Sequence, residues 1–433
     1  MDTSSATPNP TRRTRIVCIS DTHNCTVKLP KGDVLIHAGD LTNQGSYSEK
    51  LSKSIQWLEK ANFEAKIVIA GNHDITLDQE FYTQHGQYFH NQNPEDAARC
   101  LSLLTSSRTI TYLSHSSATI RLEDPNGPRT QFTVFGSPYS PRDGMWAFGY
   151  DRGDLDVKPS GEQLSVATGP PIASGPTAST LWSAIPMDTD ILVTHTPSHT
   201  HCDECPIRRR ALGCEELRKT LWRIRPRLHV CGHVHQGRGA ERVQWDIDGS
   251  GGNVTYAEAG VERWEDPSPD RLSAKMSLVD LTRRGGKRPL DNQDSAPSPT
   301  ARIFPDAHLT RDKSSLPNLT RRDGLCGSCL PRSESRPPVG SSGPKGRDDD
   351  SSRPSHNENQ VFDRGAGVGI GTRGLGGDPA TSARCDRVAL SGRMGRRETC
   401  VVNCAIVASN WPHAGGKQFN KPIVVDLDLP VWR

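Results

Sequence analysis

Apolar runs recur along the first two thirds of the chain, each cut off by glycine or by a polar cluster. "RIVCIS" (15–20), "DVLIHAG" (33–39) and "AKIVIAG" (65–71) read as strands, because β-branched residues dominate and no helical period appears. The period changes in "SEKLSKSIQWLEKAN" (48–62), where Leu51, Ile55, Trp57 and Leu58 fall near one helical face. Strand, helix, strand in that order predicts a βαβ unit with a right-handed crossover. "TITYL" and "TQFTVFG" are further strands, and 153–176 reads as a Gly/Pro/Ser-rich loop or insertion. "TDILVTH" (189–195) and "RLHVCGHVH" (227–235) are apolar runs ending in histidine. "GCEELRKTLWRI" (213–224) is an amphipathic helix, and "SAKMSLVDL" (273–281) is another strand.

From about 283 to 396 no apolar period persists, and that stretch has too little apolar surface to offset the entropy of ordering it. Pattern returns in "ETCVVNCAIVAS" (398–409) and in the alternating "KPIVVDLDLPVW" (421–432). The expected organisation is a disordered polar tail over 1–13, a domain over 14–282, a disordered insert over 283–396, and C-terminal strands over 397–433 that rejoin the domain. With 32 prolines and a third of its residues hydrophobic, the 433-residue chain fits one folded unit plus a long unstructured part. The net charge of +3 is too small to make nucleic acid the expected main partner. No run approaches a membrane span, and the N-terminus lacks a secretory apolar core. Twelve cysteines without an export signal predict reduced thiols and a cytoplasmic protein, with the nucleus left open.

The chemistry gathers just beyond the apolar runs. There stand Asp21 and His23, then Gly39-Asp40, then Gly71-Asn72-His73-Asp74, then His195, then Gly232-His233-Val234-His235. In α/β sheets, ligands bind in the crevice outside the carboxyl ends of strands. Imidazole and carboxylate together suit manganese, iron or zinc, and a carboxylate can bridge two such ions. Residues two apart, as in Asp21/His23 and His233/His235, reach the same side of an extended chain.

At these residues the sequence resembles the calcineurin-like metallophosphoesterase superfamily, whose pattern is D-x-H, G-D, G-N-H-[DE], H and G-H-x-H. The blocks "SDTHN", "GDVLIHAGDLT", "VTHTP" and "CGHVHQGRG" look like its metallophosphoesterase-domain-containing branch. The resemblance implies an α/β fold, a four-layer α/β/β/α sandwich, with two divalent metal ions (Mn, Fe or Zn) at the strand ends. It implies that Asp21, His23 and His235 hold one ion, that Asn72, His195 and His233 hold the other, and that Asp40 bridges them. It places His73 above the metals against the substrate phosphate, with Asp74 orienting it from behind. The activity implied is hydrolysis of a small phosphoester, most of all a phosphodiester and a nucleotide among the candidates, by a hydroxide that the two metals activate. The rival readings are a metal- or nucleotide-binding scaffold with little turnover, and a phosphomonoesterase or protein phosphatase.

"FGSPYSPRDGMWAFGY" (135–150) supplies a candidate substrate wall in Pro138, Trp146 and Phe148, and Asn43 in "GDLTNQG" is a further candidate contact. His199, His201, Cys202, Asp203, Cys205 and Cys214 lack a second ligand pair at zinc spacing, so a structural zinc is not expected there. Cys326 and Cys329 form a C-x-x-C without the surroundings of a redox motif. Asp426 and Asp428 are expected to face solvent, and His37 to be packed rather than ligating.

Overall fold

The computed structural model describes residues 10–45, 47–152, 175–206, 208, 210–246, 256–270, 273–282, 396–409 and 416–432. Its main strands, numbered in chain order, form two facing sheets. One runs from edge to edge through β15 (Ser277–Asp280), β17 (Ile423–Pro430), β1 (Thr11–Ile19), β2 (Val34–Ala38), β3 (Ala65–Ile69) and β4 (Thr111–Tyr112). The other runs through β14 (Glu258–Arg263), β13 (Gly239–Trp245), β16 (Glu398–Asn403), β12 (Leu228–Cys231), β9 (Ile191–Thr194), β6 (Gln131–Ser137) and β5 (Ser116–Arg121). Two short ribbons pair β7 (Ser140–Pro141) with β8 (Gly149–Tyr150), and β10 (Glu204–Cys205) with β11 (Arg210–Ala211). The helices are α1 (Ser48–Lys60), α2 (Gln79–His85), α3 (Ala97–Thr105), α4 (Ala178–Ser183) and α5 (Glu215–Ile224).

The layering follows from the two-residue period of a strand. Ile16 and Cys18 of β1 point between the sheets, where they meet Ile36, Ile67, Val193, Val230 and Val402. Val17 and Ile19 point the other way, into a second core with Leu51, Ile55 and Leu58 of α1 and Leu104 of α3. On the outer face of the second sheet, Leu192, Cys231 and Val401 pack against Trp182 of α4 and Leu217 and Leu221 of α5. The order is therefore α/β/β/α. Strands buried on both faces read as continuous apolar runs, which is why β2 and β3 stood out in the sequence. Each fully buried Val, Leu or Ile contributes about 1.5–3 kcal/mol.

Strands β1 to β4 are mutually parallel, as are β6, β9, β12 and β16. Their carboxyl ends lie at one end of the sandwich. The C-terminal strands are interior members of the sheets: β16 lies between β12 and β13, and β17 between β15 and β1.

Three sequence expectations are corrected. Thr11–Arg13, assigned to a disordered tail, pair with Asp428–Pro430 of β17, so backbone bonding orders a segment with no apolar signal. Arg396, placed in the insert, is fully buried; its guanidinium bonds to Asp190 (2.5 Å) and to the Thr189 carbonyl (2.9 Å). Asp426 does not face solvent but accepts two hydrogen bonds from Arg15, each 2.7 Å, while Asp428 is half-buried. Of the loop expected at 153–176, residues 153–174 lie outside the described residues, as do the remainder of the insert at 283–395 and Cys326 and Cys329.

Candidate metal centre

Every candidate ligand stands within four residues of the carboxyl end of a strand. Asp21 and His23 follow β1, Asp40 follows β2, and Asn72 follows β3, all in the first sheet. His195 follows β9, and His233 and His235 follow β12, in the second. The loops converge because the parallel strands of both sheets end together. Glycine is required at two of these tips: a Cβ on Gly71 would strike the Asp40 carboxylate, and one on Gly232 would strike that of Asp21. Asp21, His23, Asp40 and His233 have left-handed backbones, with φ of 53°, 46°, 56° and 64°. That conformation costs a residue with a side chain about 1 kcal/mol or more, and such strain clusters at functional sites.

The Asp40 carboxylate is divided between two tasks. Its Oδ1 accepts the His73 backbone N–H (2.8 Å), while its Oδ2 faces His195 Nε2 (3.4 Å) on one side and His23 Nε2 (3.7 Å) on the other. Asp21 accepts the His233 backbone N–H, and its Oδ1 lies 3.2 Å from His235 Nε2. Asp21, His23 and His235 bring one donor atom each within 4.8 Å of one another, and so do Asp21, Asp40 and His195. Asn72 Oδ1 lies 2.9 Å from both His195 Nε2 and His233 Nδ1.

The ring tautomers show what these donors need. His23 Nδ1–H donates to the Thr42 carbonyl (3.1 Å), and His195 Nδ1–H donates to the Ala38 carbonyl (2.9 Å). In the neutral rings both Nε2 atoms therefore carry lone pairs. His23 Nε2 faces His235 Nε2 at 3.3 Å, and His195 Nε2 faces the Asn72 oxygen. The lone pair of a neutral His195 thus faces an oxygen acceptor, and these ring nitrogens crowd two buried carboxylates, an arrangement that a proton or a metal ion among them relieves. The residues thus fit divalent cations.

The electrostatics agree. Burial would raise Asp21 and Asp40, but His235 opposite the first and His195 and His73 beside the second hold both below the usual carboxylate range. Burial pushes His23 and His233 down to about 3, which keeps them neutral and able to ligate. Burial also opposes protonation of His195, yet the charge of Asp40 outweighs it and pushes the ring up to about 9. A positive charge beside Asp40 is what this pocket favours.

His73 stands over the same centre, its ring 5.0 Å from that of His23, and its buried Nδ1 has no hydrogen-bond partner among the described residues. Asp74 does not orient it, which corrects the expectation from the family resemblance. The Asp74 carboxylate accepts from the N–H groups of Gly71 (2.9 Å), Leu41 (3.2 Å) and Thr42 (2.8 Å) and from Thr42 Oγ1 (2.7 Å), tying the loop after β2 to the loop after β3. Burial and then the charge of Asp40 push it up to about 7. What steadies the His73 ring is Trp146, packed against it with centroids 4.1 Å apart.

The rest of the expected wall divides. Trp146 is half-buried beside His73 and continues into Phe89 (5.7 Å). Phe148 is buried in the outer core, its N–H held by Asp78 (2.9 Å), and Pro138 is buried as well, so neither forms an open wall. Asn43 is exposed. The sequence reading missed the Thr42 and Ala38 carbonyls, which orient His23 and His195; a backbone carbonyl leaves no signal in the sequence.

His37, His199 and His201 find partners among the described residues. His37 Nε2 lies 2.9 Å from Thr22 Oγ1 inside the core. His201 bonds to Glu241 (3.0 Å) and Glu258 (3.1 Å), and His199 to Glu215 (3.0 Å). Cys214 accepts from Trp182 Nε1 (3.2 Å).

The family profile described as Calcineurin-like phosphoesterase matches residues 14–237. The chain is 40% identical over 235 residues to "Probable rhamnogalacturonate lyase C" of Emericella nidulans, a match covering 54% of this chain but only 18% of that protein. It is 38% identical over 264 residues to "Metallophosphoesterase domain-containing protein 1" of Homo sapiens, covering 59% of this chain and 68% of that protein. Among solved structures, a purple acid phosphatase from yellow lupin (Lupinus luteus) seeds is similar at 12% identity and a TM-score of 0.30, over 55% of this chain and 40% of that one, a likeness too loose to bear on the site. No helix of the described residues is long and apolar enough to cross a membrane.

Proposed function

The chain belongs to the calcineurin-like phosphoesterase family, and on that premise we propose that it hydrolyses small phosphodiesters, nucleotides among the candidates, at a centre that holds two divalent ions. The observation that carries this is the convergence of Asp21, His23, Asp40, Asn72, His195, His233 and His235 from two sheets, with ring nitrogens aimed at one another and, among the described residues, no lysine or arginine between them. Asp21, His23 and His235 would hold one ion and Asn72, His195 and His233 the other. Asp40 Oδ2, flanked by donors of both sets, would touch both. When bound, such ions act as Lewis acids and draw the pKa of water toward neutrality.

The chain's own residues supply the rest. The His73 N–H pins Asp40 Oδ1, so that Oδ2 keeps its place between the two donor sets. His73, once protonated, would hydrogen-bond the phosphoryl group and pass that proton to the departing oxygen as the ester P–O bond breaks, and the proton released by the adding water makes good the one the ring gave up. Trp146 fixes the plane of that ring and offers an aromatic face to the leaving group. Lys417 donates to the His23 carbonyl, and Arg238 to Asp266 and the Lys421 carbonyl. The domain expected over 14–282 and 397–433, widened by Thr11–Arg13 and Arg396, acts as one catalytic unit in this reading, and the nine described cysteines, all free thiols, fit a cytoplasmic setting.

The test compares an aryl phosphodiester with its monoester in the presence of Mn²⁺. The diester is expected to turn over at least about tenfold faster, a difference of about 1.4 kcal/mol in barrier. A monoester preference overturns the diester assignment. Tight Mn²⁺ binding without hydrolysis of either would make the protein a metal-binding scaffold.

A further inference from the structure

Residues 403–407 reach the centre from the far end of the chain and touch two of its ligand loops at once. On one side, Asn403 Nδ2 donates to the carbonyls of Val234 (2.8 Å) and Cys202 (2.9 Å) and lies 3.4 Å from that of Gly232. The Gly232 and Val234 carbonyls bracket His233, and the second stands next to His235. On the other side, the Cys404 carbonyl accepts from the Ser20 N–H (3.1 Å), Ile406 N–H donates to the Ser20 carbonyl (2.9 Å), and Val407 N–H donates to that of Asp21 (3.3 Å). Asn403 is fully buried, and its own Oδ1 accepts the Ala405 N–H (3.2 Å), which fixes which way the amide faces.

We propose that Asn403 is a positioning residue for the Asp21–His23–His235 donor set: it locks the loop of the second sheet that carries His235 onto the strand that also holds Asp21 of the first sheet. The three donors of that set come only from these two loops. The other set takes Asn72 from a loop that Asn403 does not touch and His195 from the start of the loop after β9, which Asn403 holds only seven residues further on, at the Cys202 carbonyl, so among that set's donors Asn403 acts directly beside His233 alone. This rests on the two-ion reading above.

The test is Mn²⁺ uptake by the full-length protein, measured by titration calorimetry with thermal melts alongside. The parent should show two binding events. Asn403→Asp keeps the side-chain shape but sets a carboxylate oxygen against three carbonyls. It should weaken one event about tenfold, as loss of a group that supports a metal ligand does, and lower kcat with KM nearly constant. In a His195→Ala background the same change should weaken the remaining event. In a His23→Ala background it should alter it by no more than about twofold, the additivity limit for independent sites. Should the aspartate variant fail to fold, Asn403→Ser, which keeps one donor, should show the same selectivity at smaller size. Glu398→Gln is the control, since Glu398 lies at the opposite end of β16 and bonds to Arg242; it should lower Tm and leave both events unchanged. The assignment is overturned if the Asn403 variants bind and turn over like the parent, or if Glu398→Gln reproduces their effect at an equal loss of Tm. A parent that takes up fewer than two ions sinks the two-ion reading first, and the assignment of Asn403 with it.

Discussion

Strand β9 has buried carboxylates near both of its ends, and the two ends treat them differently. Asp190, just before the strand, is completed by the chain itself. It accepts from the Thr133 N–H (2.9 Å) and Thr133 Oγ1 (3.1 Å) and pairs with the fully buried Arg396 (2.5 Å). Asp40 and Asp21, beyond the other end, meet backbone N–H groups and imidazoles rather than a guanidinium. Two of those rings, His23 and His195, spend their Nδ1 hydrogens on backbone carbonyls and so turn Nε2, free to hold a proton or a metal ion, toward the carboxylates. A buried acid that an arginine completes is part of the scaffold. A buried acid faced by imidazoles has an exchangeable countercharge, a proton on His195 or a metal ion in its place. Burial alone does not separate the two cases; the direction of the neighbouring hydrogens does.

The largest effect expected from this contrast is at Asp40. Asp40→Asn should lower diester turnover on the order of 10³-fold, the loss seen when a principal electrostatic element of a site is removed, and should reduce the Mn²⁺ bound per chain. Its thermal stability without metal should fall by less than that of an Asp190 variant, because His195, raised to about 9 by the charge of Asp40, can revert to a neutral ring when that charge goes, whereas Arg396 cannot. If Asp40→Asn instead unfolds the metal-free protein, Asp40 belongs with Asp190. Next comes the converse. Asp190→Asn leaves the Arg396 guanidinium buried without its ion partner, and should cost about 3–5 kcal/mol of folding stability in urea melts. Mn²⁺ affinity should hold, since the pair sits at the strand's other end. Parallel loss of affinity would erase the distinction between the two ends.

How much of this could be read from the chain depended on contrast along it. The donor residues were legible because each interrupts the tip of an apolar run: Asp21 after "RIVCIS", His195 after "DILVT" and His233 after "LHVC". The interior strands were legible for the same reason, being apolar on both faces. β5, β13 and β14 were missed, because "SSATIR", "GAERVQW" and "EAGVER" are polar or charged at many positions and lie toward the edges of the second sheet. Asn403 carried no signal, since its value lies in three carbonyls supplied by residues about 170 to 200 positions away. Asp74 misled because adjacency to His73 suggested a bond, whereas the chain turns that carboxylate back onto Gly71 and Thr42. Thr11–Arg13, Arg396 and Asp426 misled for one reason: polar residues order when the fold supplies partners, and composition does not show partners.

The smallest effect concerns a third charged cluster, which extends the comparison. His201 is buried between Glu241 of β13 and Glu258 of β14, and Arg218 of α5 (2.7 Å from Glu258) and Arg263 (3.3 Å from Glu241) share the same glutamates. His229 of β12 is the neutral ring nearby, held down to about 3 by burial and by His201. Burial would lower His201, but both glutamates outweigh it and push it up to about 9 from 6.5. A histidine raised on folding stabilises the protein fully below its unfolded pKa, and that contribution is lost as pH rises through its folded pKa. Stability should therefore fall between about pH 6.5 and 9 by roughly 2–3 kcal/mol. The measurement is the urea midpoint across that range for the parent and for His201→Gln, in which this part of the slope should vanish. Like Asp190, this cluster is completed from within, so Mn²⁺ should not alter the difference between the two curves. A difference that Mn²⁺ abolishes would make His201 part of the centre rather than of the scaffold beneath it.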